Sequence, residues 1–197
     1  MIAELVTRGH GVRALARPTS RDKVPADCTV VLGDALDRRT FVEQIAPADT
    51  FVQLVGTPHP RPAKAEQFRT VDLVSVRESV AAALAAGVRH FVYVSVAHPA
   101  PVMRAYIDVR TQGEALVRES GLNATILRPW YVLGPGHRWP HLLLPMYWLF
   151  ERLPSTRETA RRLGLVTLPQ MIAALRRAVE DPPDRVRVVT VPEIRQA

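Results

Sequence analysis

Short apolar runs alternate with longer stretches of helical periodicity along this chain, which is the pattern of β-α-β units. Strands are predicted at residues 12–16, 29–32, 51–55, 91–96, 125–127 and 186–191. Helices are predicted at residues 3–8, 40–46, 63–86, 104–120, 142–150 and 169–180. This alternation predicts an α/β fold with a doubly wound parallel sheet.

Glycine and proline mark the ends of the predicted helices. Gly9, Gly87 and Gly121 each follow a helical stretch, at the position where a left-handed residue is favoured. Pro47 closes the short helix at 40–46, because proline cannot continue the hydrogen-bond pattern of a helix.

The first element of such a sheet is missing from the pattern. A doubly wound sheet normally begins with a strand, a glycine-rich turn and a helix, whereas this sequence opens within that helix. No G-x-G-x-x-G or G-x-x-G-x-x-G motif occurs in the 197 residues, and Gly134-Pro135-Gly136 lies far downstream. We expect a fold without this strand and turn, either because an upstream start codon exists or because the protein is a truncated relative.

Composition indicates one globular domain spanning residues 1–197, since 47% of the residues are hydrophobic and 23% are charged. The longest apolar run, 142–150, is far shorter than the roughly 20 residues that cross a bilayer, so no transmembrane segment is expected. The N-terminus lacks the apolar region of a signal peptide. The single cysteine, Cys28, excludes an internal disulfide and favours a cytoplasmic location.

The net charge of +7 comes mainly from arginine, since lysine contributes only Lys23 and Lys64 to the 26 cations. These cations are scattered and form no run longer than a pair, whereas nucleic-acid binders usually cluster them on one face. We therefore expect no nucleic-acid partner and favour a small anionic ligand. A basic nucleic-acid binder stays as the weaker alternative.

Five segments follow one another in the order of a known superfamily. They are HGVRALAR at 10–17, VLGDALD at 31–37, RHFVYVSV at 89–96, YIDVR at 106–110 and SGLNATILRPWYVLGPG at 120–136. Together they resemble the short-chain dehydrogenase/reductase superfamily, in its atypical or extended branch of NmrA-like and epimerase/dehydratase-like NAD(P)-binding proteins. The resemblance covers nearly the whole chain and implies a Rossmann-type fold.

The resemblance implies that Arg17 lies beside the adenosine ribose of a dinucleotide cofactor. An acidic residue there would select NAD, whereas an arginine suits the 2′-phosphate of NADP, with Ser20 and Arg21 as further donors. We expect NADP(H) to be preferred and NAD to be possible. The alternative is a solvated strand end in an arginine-rich protein.

Two further strand ends carry cofactor candidates. Asp34, followed by Ala35, matches the acid that the family places against the adenine amino group, although an aspartate here also suits a turn or helix cap. Leu54, Val55 and Gly56 match the strand end where the backbone lies close to the nucleotide. A glycine after a strand also marks any turn.

The predicted catalytic set is Ser95, Tyr106 and Arg110. The family's centre is a serine and a Y-x-x-x-K pair, whose spacing places tyrosine and lysine one helical turn apart. Here Tyr106 is followed at that spacing by Arg110, and arginine for lysine is not a conservative change. The alternatives are that Tyr106 only packs over the pocket and that Arg110 is a surface cation or a cofactor-phosphate contact.

The segment after the predicted strand at 125–127 is expected to form the substrate pocket. Arg128 and Pro129 match the family's R-P step beside the nicotinamide, and Trp130, Tyr131 and Val132 are predicted to line the pocket. Residues 130–168 as a whole are predicted as a pocket or lid segment. For Trp130, a place in the core is an equal alternative.

No metal site is expected, although His137 and His141 have a spacing that suits chelation. A third ligand is missing nearby in the sequence, and Pro140 interrupts the helix that the spacing requires. The apolar residues around 139–150 fit core packing, a lid, a dimer face or a membrane-surface patch.

Two functions follow from these features. The first is an NAD(P)H-dependent oxidoreductase, or a related epimerase or dehydratase, acting on a small carbonyl or sugar-like substrate. The second is a non-catalytic, NmrA-like protein for dinucleotide sensing or assembly. With either function, a homodimer or a protein partner is possible. Because the glycine-rich turn is missing from the sequence, we expect weak dinucleotide binding in either case.

Overall fold

Short parallel sheets and the helices packed on them make up the computed structural model, which describes residues 1–134 and 157–197. The strands are β1 Arg13–Ala16, β2 Thr29–Leu32, β3 Thr50–Gln53, β4 His90–Val94, β5 Asn123–Leu127, β6 Tyr131–Leu133, β7 Leu165–Thr167 and β8 Val186–Val189. The helices are α1 Ile2–Thr7, α2 Ala65–Gln67, α3 Val74–Ala85, α4 Arg104–Glu119, α5 Arg157–Arg162, α6 Leu168–Glu180 and α7 Val191–Arg195, and a π-helix spans Phe68–Leu73.

All the paired strands run parallel, which confirms the predicted α/β architecture. The largest sheet has the order β3-β4-β5-β8, and β1-β2 and β6-β7 form two further pairs. In the β3-β4 pair Phe51 lies opposite Phe91, and their rings stack with centroids 5.4 Å apart. Parallel pairing brings the carboxyl ends of neighbouring strands to one edge of each sheet.

The sheet is interrupted between β1 and β3, which share no backbone ladder within the described residues. Side chains from both sides of this break still belong to one core cluster, which includes Val31 of β2 on one side and Phe91 of β4 on the other. A doubly wound sheet of order 3-2-1-4-5-6 has its first strand at this place. The break therefore agrees with the prediction that the first strand is absent from the pattern.

Both faces of the largest sheet are covered by apolar clusters. On β4, Phe91 and Tyr93 point to the cluster that contains α3, while Val92 points to the cluster that contains α6. This alternation follows from the two-residue period of a strand. A strand covered on both faces reads as a continuous apolar run, which is why the sequence pattern identified β4.

The predicted helix ends are confirmed at the three glycines, which have φ values of +86° at Gly9, +69° at Gly87 and +75° at Gly121. In contrast, the helix predicted at 40–46 is wrong. Two 3-10 turns, Arg38–Thr40 and Val42–Gln44, replace it, because the φ of −142° at Phe41 departs from helical geometry and separates them.

The carboxyl-terminal part holds elements that the sequence pattern did not predict. Strands β6 and β7 have three residues each and are too short to show a period. The predicted strand at 186–191 ends at Val189, because Thr190 and Glu193 form a capping box that begins α7. The predicted helix at 142–150 lies outside the described residues. Within the described part of the chain, no helix is long and apolar enough to cross a membrane.

His90 is a buried, neutral histidine at the start of β4, only 3% exposed. Its Nδ1 lies 3.2 Å from Thr50 Oγ1 and its Nε2 lies 3.1 Å from Thr125 Oγ1. Burial, and then the charge of Arg187, lower the pKa of His90 to about 4. The folded protein therefore resists protonation at a pH where the unfolded chain already binds a proton.

We expect the free energy of unfolding to fall by up to about 3 kcal/mol as the pH drops from about 6.5 to about 4, because only the unfolded state gains the His90 proton in that range. Urea unfolding at several pH values measures this fall. The variant His90→Gln should lose that part of the slope, whereas the control His10→Gln, at a more exposed histidine, should keep it. A slope equal in His90→Gln and wild type would contradict the assignment.

Candidate active site

The predicted site residues lie at the carboxyl ends of the parallel strands. Arg17 follows β1, Asp34 follows β2 after one residue, and Leu54 follows β3. Ser95 follows β4 and Arg128 follows β5. Ligands of doubly wound sheets bind at this edge, so the topology brings the candidates to the place where a ligand is expected.

Arg110 is buried at 6% exposure and takes part in an ion pair that its sequence position did not reveal. Its Nη2 donates to Asp72 Oδ1 at 2.6 Å, and its Nη1 donates to the carbonyl oxygen of Val94 at 2.9 Å. The burial excludes the alternative of a surface cation. Arg110 Nε is the one buried side-chain polar atom of the described residues without a hydrogen-bond partner.

Two tyrosines lie beside the Arg110 guanidinium. Its central carbon is 5.1 Å from the ring centroid of Tyr106 and 6.0 Å from that of Tyr93. Burial raises the pKa of Tyr93 to about 12, and burial also raises the pKa of Tyr106 against the opposing influence of Arg110. Both tyrosines are therefore protonated at neutral pH.

The other side of the ion pair holds the loop after β3. Asp72 Oδ2 accepts hydrogen bonds from the backbone nitrogen of Thr57 at 3.0 Å and from its hydroxyl at 2.5 Å. A Cβ atom on Gly56 would lie 2.2 Å from Arg110 Nη2 and 3.1 Å from Asp72 Oδ1. Glycine is thus required here by the close approach of the ion pair.

A second buried carboxylate, Glu114, binds two of the predicted site residues. Ser95 Oγ donates to Glu114 Oε1 at 2.6 Å, and Arg128 donates through Nε at 2.8 Å and through Nη2 at 2.5 Å. His98 Nε2 lies 3.3 Å from the same Oε1. Although burial opposes ionisation, the bonds from Arg128 and Ser95 lower the pKa of Glu114, so it is a carboxylate at neutral pH.

The predicted cofactor residues after β1 and β2 are exposed. Arg17 and Arg21 face solvent, and Ser20 is half-buried in the turn between them. Asp34 is exposed, and its Oδ1 accepts from the backbone nitrogen of Leu36, so the turn role foreseen for it is present. Ala35 is half-buried in the same turn.

A cavity of about 440 Å³ follows this turn and is lined by Leu36, Asp37, Arg38, Arg39 and Glu78. Its lining is mostly charged. Arg38 contacts Glu78 at 3.1 Å, and Arg39 contacts Asp37 at 2.8 Å, so the charges in its wall are already paired.

The residues of the predicted substrate pocket lie just before position 134, where the first described range ends. Trp130 packs against the core cluster of α6, which favours the core alternative for its ring, and Pro129 is buried. Tyr131 and Val132 are half-buried in β6. His137, His141 and most of the predicted lid segment lie outside the described residues. No group of metal-ligating side chains occurs among the residues that are described.

Sequence reasoning missed both buried carboxylates. Glu114 lies four residues after Arg110 and eight after Tyr106, so these three side chains share one face of α4, and this spacing was a readable signal. Asp72 lies in the π-helix, 38 residues from Arg110, and no short motif joins the two.

Similarity to known proteins bears on the family and the fold of this chain. The family model described as NAD(P)H-binding matches residues 1–137. No protein of curated function matches the chain by sequence.

Solved structures resemble the chain over almost its full length. A short-chain dehydrogenase/reductase superfamily protein from Agrobacterium tumefaciens with bound NAD has a TM-score of 0.68 at 19% identity, covering 96% of this chain and 73% of that one. WbmH of Bordetella bronchiseptica in complex with NAD⁺ has a TM-score of 0.67 at 21% identity, covering 96% and 70%.

A UDP-glucose 4-epimerase from Thermotoga maritima with UDP-glucose is similar to the chain at a TM-score of 0.66 and 16% identity, covering 99% of this chain and 75% of that one. Likenesses at such low identity show the fold. The predicted Rossmann-type fold is thereby confirmed.

Gly56→Ala should destabilise the protein by about 1–3 kcal/mol, because the new Cβ would push Arg110 out of its buried bonds with Asp72 and Val94. Gly11→Ala is the control, since a Cβ there meets nothing within 4 Å. Urea unfolding at neutral pH compares the two variants. Equal losses in both would show that the ion pair does not require the glycine.

Proposed function

This chain belongs to the NAD(P)H-binding family, and we propose that it binds NADPH in preference to NADH and reduces a small carbonyl or sugar-like substrate. The observation that carries the proposal is the position of Tyr106, whose ring lies 5.1 Å from the Arg110 guanidinium carbon near the carboxyl end of β4. A proton donor beside a fixed cation is what carbonyl reduction needs at this edge.

The residues present fit the adenosine half of such a cofactor. Arg17 is exposed after β1 and, within the described residues, forms no ion pair, so its guanidinium is available to a 2′-phosphate. Ser20 and Arg21 would add donors to the same phosphate. One carboxylate oxygen of Asp34 accepts a hydrogen bond within its turn, and the other would accept one from the adenine amino group.

The loop after β3 offers an apolar surface to the nucleotide. Leu54 is 50% exposed and Val55 is 37% exposed, although both follow a strand that is largely covered. Because Gly56 has no side chain, the backbone of this loop lies close to Arg110. A flat ring resting on Leu54 and Val55 would cover surface that now faces water.

The proposed chemistry assigns the proton to Tyr106. When bound, a reduced nicotinamide would supply the hydride that reduces the carbonyl carbon. Tyr106 donates its Oη proton to the carbonyl oxygen, and the Arg110 cation stabilises the tyrosinate that results. Because burial raises the pKa of Tyr106, the residue holds its proton at neutral pH and suits the reductive direction better than the reverse.

Ser95 and Arg128 would take part in substrate binding, and both are bound to Glu114. In the structure, the Ser95 hydroxyl donates to Glu114, so it would have to turn from this carboxylate to bind a substrate oxygen. Arg128 is half-buried and holds Glu114 from the other side. The Glu114 carboxylate would thus keep three partners, Arg128, His98 and Arg118, when Ser95 leaves.

A second candidate is dinucleotide sensing without catalysis. One observation favours it: Ser95 and Arg110 already donate hydrogen bonds to the buried carboxylates Glu114 and Asp72. In this case the same edge would bind NADPH and present it to a protein partner.

Arg17→Ala should weaken NADPH binding about tenfold or more and leave NADH binding nearly unchanged, because only NADPH carries the 2′-phosphate. Titration of the 197-residue chain with both nucleotides, followed by the fluorescence of the reduced nicotinamide, measures the two affinities. The control is Arg177→Ala, an exposed arginine in the last turn of α6, which should bind both as wild type does. Equal weakening for both nucleotides would remove the proposed preference for NADP.

Tyr106→Phe should lower turnover about a hundredfold or more while NADPH affinity stays at the wild-type value, since the ring is kept and only the proton donor is lost. NADPH consumption with glyceraldehyde as the carbonyl probe gives the rate, and the nucleotide titration gives the affinity. NADPH binding with turnover equal in Tyr106→Phe and wild type would eliminate the catalytic role and support sensing.

A further inference from the structure

Asp72 is a buried carboxylate, 2% exposed, with every oxygen engaged. One oxygen accepts from Arg110 at 2.6 Å and the other accepts from the amide and hydroxyl of Thr57 at 3.0 and 2.5 Å. It lies in the π-helix, and π-helical turns inside longer helices are frequent at functional sites. Asp72 therefore joins the loop after β3 to α4.

Arg110 has little freedom to leave this partner. Its second terminal nitrogen donates to the Val94 carbonyl at 2.9 Å, and Gly56 closes the space beside the first. The guanidinium is held from two directions and faces the rings of Tyr93 and Tyr106.

We propose that Asp72 is a positioning residue for the tyrosine at this site: its carboxylate holds the Arg110 guanidinium against the Tyr106 ring and sets how much of that cation's charge Tyr106 experiences. Asp72 acts through Arg110 and contacts no substrate in this role. The inference rests on the proposed role of Tyr106, but its test needs neither dinucleotide nor substrate. Its failure can therefore be told apart from a failure to bind or turn over NADPH.

The charged and titratable groups around Tyr106 are few. Arg110 faces it from α4, Asp72 from the π-helix and Tyr93 from β4, while Phe68 packs on its ring at 5.0 Å without charge. The cation favours the tyrosinate, and the carboxylate opposes it. Removing the cation should therefore raise the midpoint of the Tyr106 titration, and removing the carboxylate charge should lower it.

The test is a pH titration of the intact chain labelled at the tyrosine ring carbons, with the Tyr106 signal among the four tyrosines assigned from Tyr106→Phe. Asp72→Asn should lower the midpoint of the Tyr106 titration by at least about one pH unit, because the asparagine oxygen and the Val94 carbonyl still hold the Arg110 cation beside the phenol, while the negative charge that offsets it is gone. Arg110→Met should keep Tyr106 protonated to the highest pH at which the protein stays folded. Asp49→Asn, an exposed aspartate in the loop before β3, is the matched control and should titrate as wild type does.

A Tyr106 midpoint in Asp72→Asn that equals the one in Asp49→Asn, or lies above it, would overturn the proposal. Asp72→Asn breaks a buried ion pair, so a second measurement uses the wild-type chain alone. The Nη protons of Arg110, assigned with Arg110→Lys, should give separate signals, as a guanidinium held on two sides does. A single averaged signal would show that Asp72 does not hold Arg110 and would also overturn the proposal.

Discussion

The buried ion pair between Asp72 and Arg110 is the interaction on which the arrangement of the site depends. Two charges taken out of water are tolerated only when each finds a close partner and further hydrogen bonds. Here Arg110 donates hydrogen bonds to Asp72 and to the Val94 carbonyl, and Asp72 also accepts one from Thr57. One pair therefore fixes the end of β4, the loop after β3 and the face of α4 relative to one another.

Helix α4 carries this arrangement on a single stripe. Tyr106, Arg110 and Glu114 follow one another at intervals of four residues, so all three share one face of the helix. Arg110 meets a carboxylate from the π-helix, and Glu114 meets Arg128 from the end of β5. The stripe thus holds one positive and one negative charge, and each has an oppositely charged partner from another element. Neutralisation in pairs lets a cluster of ionised groups stay buried beside two protonated tyrosines.

How far the sequence could predict this structure depends on the distance over which each feature is encoded. Strand β4 is a continuous apolar run, and Gly87 ends α3 through its own backbone preference, so both are legible locally. The partner of Arg110 is not legible, because Asp72 comes close only after the sheet has formed. The motif Y-x-x-x-R correctly places a cation one turn from Tyr106. It carries no information on whether that cation is free, and in the folded chain it is paired.

The same distinction bears on how a strongly basic chain distributes its charge. Many arginines are committed to the fold: Arg8 binds Glu180, Arg38 binds Glu78, and Arg128 binds Glu114. Their charges are compensated within about 3 Å and contribute little field at a distance. Arg17 and Arg21 differ, since among the described residues neither pairs with a carboxylate and both are exposed after β1. The net positive charge is therefore less informative than its pairing: the cations left uncompensated at the carboxyl edge are the ones that can attract a phosphate.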